Sequence, residues 1–308
     1  MQGVATGGEW GGATLMAMEN APKHKRGFYA AIVQIGAPTG TLLSSGAVAL
    51  AASLPGDAFL DWAWRVPFLV SIMLVGLAVW LRWNIDETPE FKKLAAQKQT
   101  EALPVIEVLR GVPGRLLIGI AAYLFSNAGF FIITTFMIGY VTRTLEMPST
   151  VILQALTIGA VAQMVVLALA GKLADRIGAG RTVALGYLIS LLLAFPIFAL
   201  VDTKDSTLIT LAMVCGIGLA SIAYAPIGAL LTQLFPARLH YSGLGLSANL
   251  AGLIAGFMPA AATWFLMLAD NQSWGPATLL AAIAFVSLAG TLLAMRVIKK
   301  DASNAVGE

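Results

Sequence analysis

Glu19-Asn-Ala-Pro22-Lys-His-Lys-Arg26-Gly27 closes one long apolar run and opens the next. The same pattern returns at Gln233-Leu-Phe-Pro236-Ala-Arg-Leu-His240-Tyr-Ser-Gly243. In both, a carboxyl or amide side chain is followed three residues later by proline and, four residues beyond that, by a basic residue. Proline cannot continue a helix interior because it lacks the N–H donor, and basic residues collect at the cytoplasmic ends of membrane helices. The recurrence pairs the first apolar run with the seventh and predicts a parallel repeat of six spans. The second unit has its full six, whereas the first has only its last three. The pattern therefore expects three further spans ahead of Met1.

The runs between these junctions identify the solvent. The chain has 308 residues, of which 58% are hydrophobic and 11% charged, and its mean hydropathy is +0.82. A soluble protein carries about 25% charged residues, so soluble enzymes and disordered chains are excluded and the lipid bilayer is the expected surrounding. At about 20 apolar residues per span, nine candidate spans emerge, near 1–20, 27–52, 62–84, 114–142, 150–173, 181–201, 206–235, 239–268 and 274–298. The fold class is all-α. The polar stretch 85–113 divides an incomplete first bundle (1–84) from a six-span second bundle with a short tail (114–308).

Placing the 85–113 connection in the cytoplasm puts 16 of the 19 lysines and arginines on that side, with Arg65, Arg143 and Lys204 opposite. The outer connections carry Asp57, Asp61, Glu146, Asp202, Asp205 and Asp270. This positive-inside asymmetry predicts a cytoplasmic C-terminus. The net charge of +3 reflects basic loops and implies no nucleic-acid partner. A single cysteine, Cys215, rules out an intrachain disulfide and a thiolate metal site.

Six plus six spans around a long cytoplasmic loop resemble the plan of the major facilitator superfamily. Gly171-Lys-Leu-Ala-Asp175-Arg176-Ile-Gly178-Ala-Gly-Arg181 is similar to that superfamily's loop motif between the second and third spans of a half. Gln2-Gly3-Val-Ala-Thr-Gly7-Gly8-Glu9-Trp10-Gly11-Gly12 resembles the fourth span of the metabolite:proton symporters. Glu19 to Gly27, Gln34-Ile-Gly36 with Gly40, Trp64-Arg65-Val-Pro67-Phe68-Leu69 and Glu87-Thr88-Pro89-Glu90-Phe91 continue the likeness in family order. The second half matches more loosely. Gln233 stands where an acidic residue is usual and His240 where an arginine is usual, and the basic residue after Gly178 is delayed to Arg181.

Glu9 is the chain's sharpest chemical feature. An ionised carboxylate at mid-span costs at least about 2.5–3.5 kcal/mol, so it must be protonated, paired or facing a wet cavity. At 100° per residue Gln2, Thr6, Glu9, Ala13 and Asn20 share one face, while Gly3, Gly7 and Gly11 form a packing stripe opposite. Glu9 is thus a candidate for coupling proton movement to substrate, or a structural carboxylate bonded to a neighbouring helix. Gln34, Pro38, Thr41 and Ser45 share a face of the second span; Tyr123, Asn127, Phe130 and Thr134 share one of the fourth. Gln163 and Asn249 lie within later spans. Gln34, Thr41, Tyr123, Asn127, Gln163 and Asn249 are the candidate substrate-cavity residues, with interhelical hydrogen bonding as the other reading. Glu19, Arg26, Asp175, Arg176 and Arg181 are the candidate cytoplasmic gate, with an ordinary basic loop as the alternative.

No phosphate loop, metal-ligand cluster or nucleophile–base set appears, so no enzyme activity and no cofactor are expected beyond protons as the coupling ion. The resemblance implies a secondary transporter in the bacterial cytoplasmic membrane, monomeric if full length, that moves a small organic acid or zwitterionic osmolyte with protons by alternating access. The alternative is a truncated, non-transporting fragment of such a symporter. No lysine or arginine lies deep in a span, so a cation for a carboxylate substrate is expected from outside these residues.

Overall fold

The computed structural model describes residues 2–55, 58–84 and 104–306, and among these residues it is entirely helical. Eleven helices carry the architecture: α1 (Gln2–Glu19), α2 (Arg26–Ala52), α3 (Val66–Asn84), α4 (Pro104–Gly111), α5 (Pro113–Thr144), α6 (Ser149–Ile177), α7 (Ala179–Asp202), α8 (Ser206–Leu234), α9 (His240–Gly256), α10 (Met258–Leu268) and α11 (Trp274–Val306). The long helices follow the apolar runs. The polar connection additionally contains α4, a short amphipathic helix lying directly ahead of the proline that opens α5.

The two junctions that prompted the repeat are built alike. Pro22 (φ −54°, ψ 139°) leads into a 3-10 turn at Lys23–Lys25 and then α2. Pro236 (φ −60°, ψ 149°) leads into a 3-10 turn at Ala237–Leu239 and then α9. In each case proline holds the extended backbone between two helices.

Among the described residues, six helices are individually long and apolar enough to cross a membrane: Ala63–Leu81, Pro113–Thr144, Ser149–Ile177, Ala179–Asp202, Ser206–Leu234 and Trp274–Asn304. The pair Ala237–Gly256 and Met258–Leu268, bent by 40°, makes a seventh. Among the described residues, α1 and α2 do not join this set. α2 carries Gln34, Pro38, Thr39, Thr41, Ser44 and Ser45 along its length, which dilutes its apolar content.

The core lies within α5–α11. Tyr187, Phe198, Ile132, Ile133, Met137, Leu230 and Leu231 are fully buried there. α5 packs between α9 and α11, α7 lies against α11, and α8 fills the space between α6 and α7. α2 lies along α6, and α1 rests on α9 and α2. Among the described residues α3 lies mainly against α2 and the short turns before it, and none of its apolar span is buried. A helix apolar all round needs apolar surroundings on every side, so α3 requires lipid or further helices around it.

Connections follow local chemistry. Gly178, at φ +93°, turns α6 into α7 with no further residue between them, a conformation that strains any residue bearing a Cβ. Asp205 caps α8, its Oδ1 accepting from the backbone of Thr207 at 2.8 Å and Leu208 at 2.9 Å. The connections assigned to the outer side turn on left-handed residues: Glu146, Lys204, Asp270 and Asn271. Three stretches depart from α geometry into π turns: Ile132–Phe136 and Tyr140–Thr144 in α5, and Val214–Leu219 in α8.

Candidate functional site

Four helices from the two sides of the polar connection enclose a cavity of about 500 Å³. α2 contributes Ala37, Pro38 and Thr41; α5 contributes Phe125 to Asn127, Phe130, Phe131, Ile133 and Thr134; α6 contributes Leu156, Ala160 and Gln163; α8 contributes Gly216, Ile217, Ala220, Ser221 and Tyr224. The volume suits a small metabolite. Two of the π turns, Ile132–Phe136 and Val214–Leu219, lie in its wall. Such turns recur at functional sites because they interrupt the i→i+4 ladder and re-aim side chains.

The lining is chemically simple. Its hydroxyls already donate to their own surroundings: Thr41 to Ala37 O at 3.2 Å, Thr134 to Phe130 O at 2.7 Å and Ser221 to Ile217 O at 2.8 Å. Ser126 pairs with Tyr187 Oη at 3.0 Å, and Tyr187 donates to Ala122 O at 2.6 Å. The amides of Asn127 and Gln163 make no hydrogen bond among the described residues, so their donors and acceptors are open to a ligand. Phe125, Phe130, Phe131 and Tyr224 supply an aromatic wall, and the described lining carries no formal charge.

The structure gathers some of the expected residues and separates others. Thr41, Asn127 and Gln163 line the cavity, as do Pro38, Phe130 and Thr134 from the same helix faces. Gln34 and Tyr123 do not line it. They lie one turn nearer the N-terminal ends of α2 and α5, where Gln34 Oε1 accepts from Trp10 Nε1 at 3.0 Å and the Tyr123 ring meets the Trp10 ring edge-on at 5.1 Å. Asn249 is exposed on α9, away from the lining. Ser45 is exposed too. Glu9, Gly3 and Gly7 lie on α1, but their side-chain positions fall outside the described residues. Gly11 is described and approaches α9 closely: a Cβ there would be 3.5 Å from Gly245 Cα.

At the end of the cavity facing the basic connections, α2 and α6 cross at glycines. A Cβ on Gly171 would sit 2.6 Å from Ala31 Cβ and 2.9 Å from Phe28 Cα; one on Gly27 would sit 2.9 Å from Ala174 Cβ. Neither helix could approach so closely with larger residues. Asp175 spans the crossing, accepting the Gly27 N–H at 2.8 Å and the Phe28 N–H at 3.2 Å. These amides belong to the first turn of α2, where N–H groups have no partner within the helix and the dipole favours an anion. Arg176 and Arg181 are exposed, and Lys172 Nζ lies 5.8 Å above the Phe28 ring. Glu19 and Arg26 both interact with neighbouring groups. The carboxylate of the loop motif thus engages backbone from the other side of the polar connection. Sequence reasoning did not find Trp10 or Tyr224, because aromatic residues in an apolar run carry no contrast that marks them.

The described residues form a helical, membrane-type protein with a cavity among helices from both sides of the polar connection. The chain belongs to the Major Facilitator Superfamily, whose family model matches residues 1–258 and 121–307. It is 38% identical to the Shikimate transporter of Escherichia coli (strain K12) over 267 residues, covering 83% of this chain and 59% of that protein. The Inner membrane metabolite transport protein YhjE of the same strain is 33% identical over 302 residues, covering 95% of this chain and 68% of the relative. The Proline/betaine transporter of that strain is 30% identical over 300 residues, covering 93% and 59% respectively. The chain therefore spans between 59% and 68% of the length of these relatives. Among solved structures, the proton:xylose symporter XylE bound to 6-bromo-6-deoxy-D-glucose superposes with a TM-score of 0.68 at 19% identity, covering 93% of this chain and 67% of the symporter. At that identity the likeness speaks for the fold alone.

Proposed function

We propose that this protein carries a small polar metabolite across the bacterial cytoplasmic membrane together with protons, by alternating access. Residues 1–84 and 114–308 belong to the two bundles that move against each other, and the C-terminus lies in the cytoplasm. The observation that carries the reading is the cavity itself. It places the open amides of Asn127 and Gln163 between helices of both bundles, above a crossing of α2 and α6 held shut by Asp175. Closure at the basic side with a cavity beyond it is the outward-facing arrangement. The substrate class is a small organic acid or a zwitterionic osmolyte, as the Shikimate and Proline/betaine transporters among its relatives suggest. Glu9 is the proposed proton carrier, for an intramembrane carboxylate is costly unless it serves such a role.

The test is uptake of labelled shikimate and glycine betaine into proteoliposomes holding an imposed pH gradient. Accumulation of one of them that collapses with a protonophore is the expected result. Glu9→Gln should abolish gradient-driven accumulation and preserve substrate exchange; undiminished uphill uptake by that variant removes Glu9 from the coupling role.

A further inference from the structure

Immediately on the cytoplasmic side of the cavity, four helices bring one residue each to a common level: Trp10 of α1, Gln34 of α2, Tyr123 of α5 and Tyr224 of α8. Trp10 donates its indole N–H to Gln34 Oε1 at 3.0 Å, which ties α1 to α2. The same indole meets the Tyr123 ring edge-on at 5.1 Å, and Tyr224 faces both Trp10 and Tyr123. Tyr123 is 3% exposed and Gln34 1% exposed, whereas Tyr224 still borders the cavity. The four side chains therefore separate the cavity from everything beneath it.

Further layers repeat the contact in register. Thr14, one turn below Trp10, is fully buried with its methyl against Gly228, one turn below Tyr224. Met18, another turn down, packs with Ala30 and Ala229. α1 and α8 thus close like two parallel combs, with the aromatic layer on top.

We propose that Trp10 and Gln34 form, with Tyr123 and Tyr224, the inner floor of the transport cavity, and that parting Trp10 from Tyr123 and Tyr224 opens the cavity to the cytoplasm. This rests on the transport reading above and extends it to residues that touch the two bundles together. Two features suit a floor that opens and shuts. The Trp10–Tyr123 contact across the bundle boundary is between rings and easily separated, and the Trp10–Gln34 hydrogen bond within one bundle holds the indole where that contact forms. The Gln34 Nε2 group is buried with no hydrogen-bond partner among the described residues, and an idle buried N–H is costly. Opening the floor brings water to it, so the open state relieves a cost that the closed state bears.

The test reads closure and needs no substrate. In a Cys215→Ser background, Ala160→Cys places one thiol in the cavity wall, and a membrane-impermeant maleimide is applied to right-side-out and inside-out membrane vesicles. The parent should label from the outside and resist labelling from the cytoplasmic side. Trp10→Phe (ring kept, N–H lost) should raise cytoplasmic labelling by about fivefold, as for a single lost hydrogen bond, and Trp10→Ala, which also loses the ring contact, by more. Retained outside labelling certifies that a variant is folded. Unchanged cytoplasmic labelling in the folded variants overturns the proposal, and so does a parent already labelled from the cytoplasmic side. Failure of the transport reading has a different signature: no gradient-driven uptake, with this labelling pattern intact.

Discussion

The backbone N–H of Gly27 donates to Asp175 Oδ1 at 2.8 Å, joining residues from opposite sides of the polar connection. The carboxylate serves as an N-terminal cap for a helix across that connection, where it meets unpaired amides and the positive end of the dipole. A hydrogen bond to a charged group contributes about 1.5–3 kcal/mol. Asp175→Ala should therefore shift the balance toward cytoplasmic opening by at least tenfold, and Asp175→Asn by less. Maleimide labelling of a cavity cysteine from inside-out vesicles measures it, and equal labelling of Asp175→Ala and parent would refute the latch.

Gly171 sets how closely α2 and α6 can cross. Gly171→Ala would force its new methyl to 2.6 Å from Ala31 Cβ, and overpacking of this kind costs about 1–3 kcal/mol. Because the conflict exists only where the helices meet, the variant should fold and yet fail to close. Spin labels at His24 and Arg176 should move apart in double electron–electron resonance. An unchanged distance distribution would show that the crossing tolerates the methyl group.

Asn127 and Gln163 offer the cavity amides that the protein itself leaves unused. Asn127→Ala and Gln163→Ala should each weaken substrate binding about fivefold to tenfold, in line with one lost hydrogen bond. The unfolding temperature should hardly change, as no described internal bond is removed. A drop in stability without a change in affinity would reassign these residues to helix packing.

Asp202, the last residue of α7, accepts from Tyr140 Oη at 2.6 Å and from Ser273 Oγ, and so ties α5 and the turn before α11 to one carboxylate. Asp202→Ala should cost about 2 kcal/mol, seen as a fall of several degrees, roughly 2–4 °C, in thermal unfolding in detergent. Substrate affinity should be unaffected, since the site lies beyond the cavity. Loss of affinity with normal stability would place Asp202 in the transport path.

The helical architecture was legible because long apolar runs, prolines and basic residues are direct consequences of the bilayer. The Pro22 and Pro236 junctions, read as a repeat, take the same backbone path. The cavity was legible in part. Thr41, Asn127 and Gln163 stood out as polar residues at helical spacing, and they line it. Gln34 and Tyr123 share their helix faces but lie a turn lower, and depth along a helix cannot be read from angular position alone. Asn249 lies on α9 outside the lining and interacts with another group. The Asp175 interaction was only half visible: the carboxylate is in the motif, but its partners are backbone amides, which every sequence possesses. Trp10 and Tyr224 were hidden by their surroundings.

The π turns have a consequence for chain length. A turn closing i→i+5 holds one residue more than its α counterpart, so α5 shifts phase twice, at Ile132–Phe136 beside the cavity and at Tyr140–Thr144 beyond it. Everything outward of them is keyed to that surplus. Removing a single residue there would rotate the remaining helix by about 100° and swing the Tyr140 hydroxyl away from Asp202. In this stretch of the molecule, the number of residues matters as much as their kind.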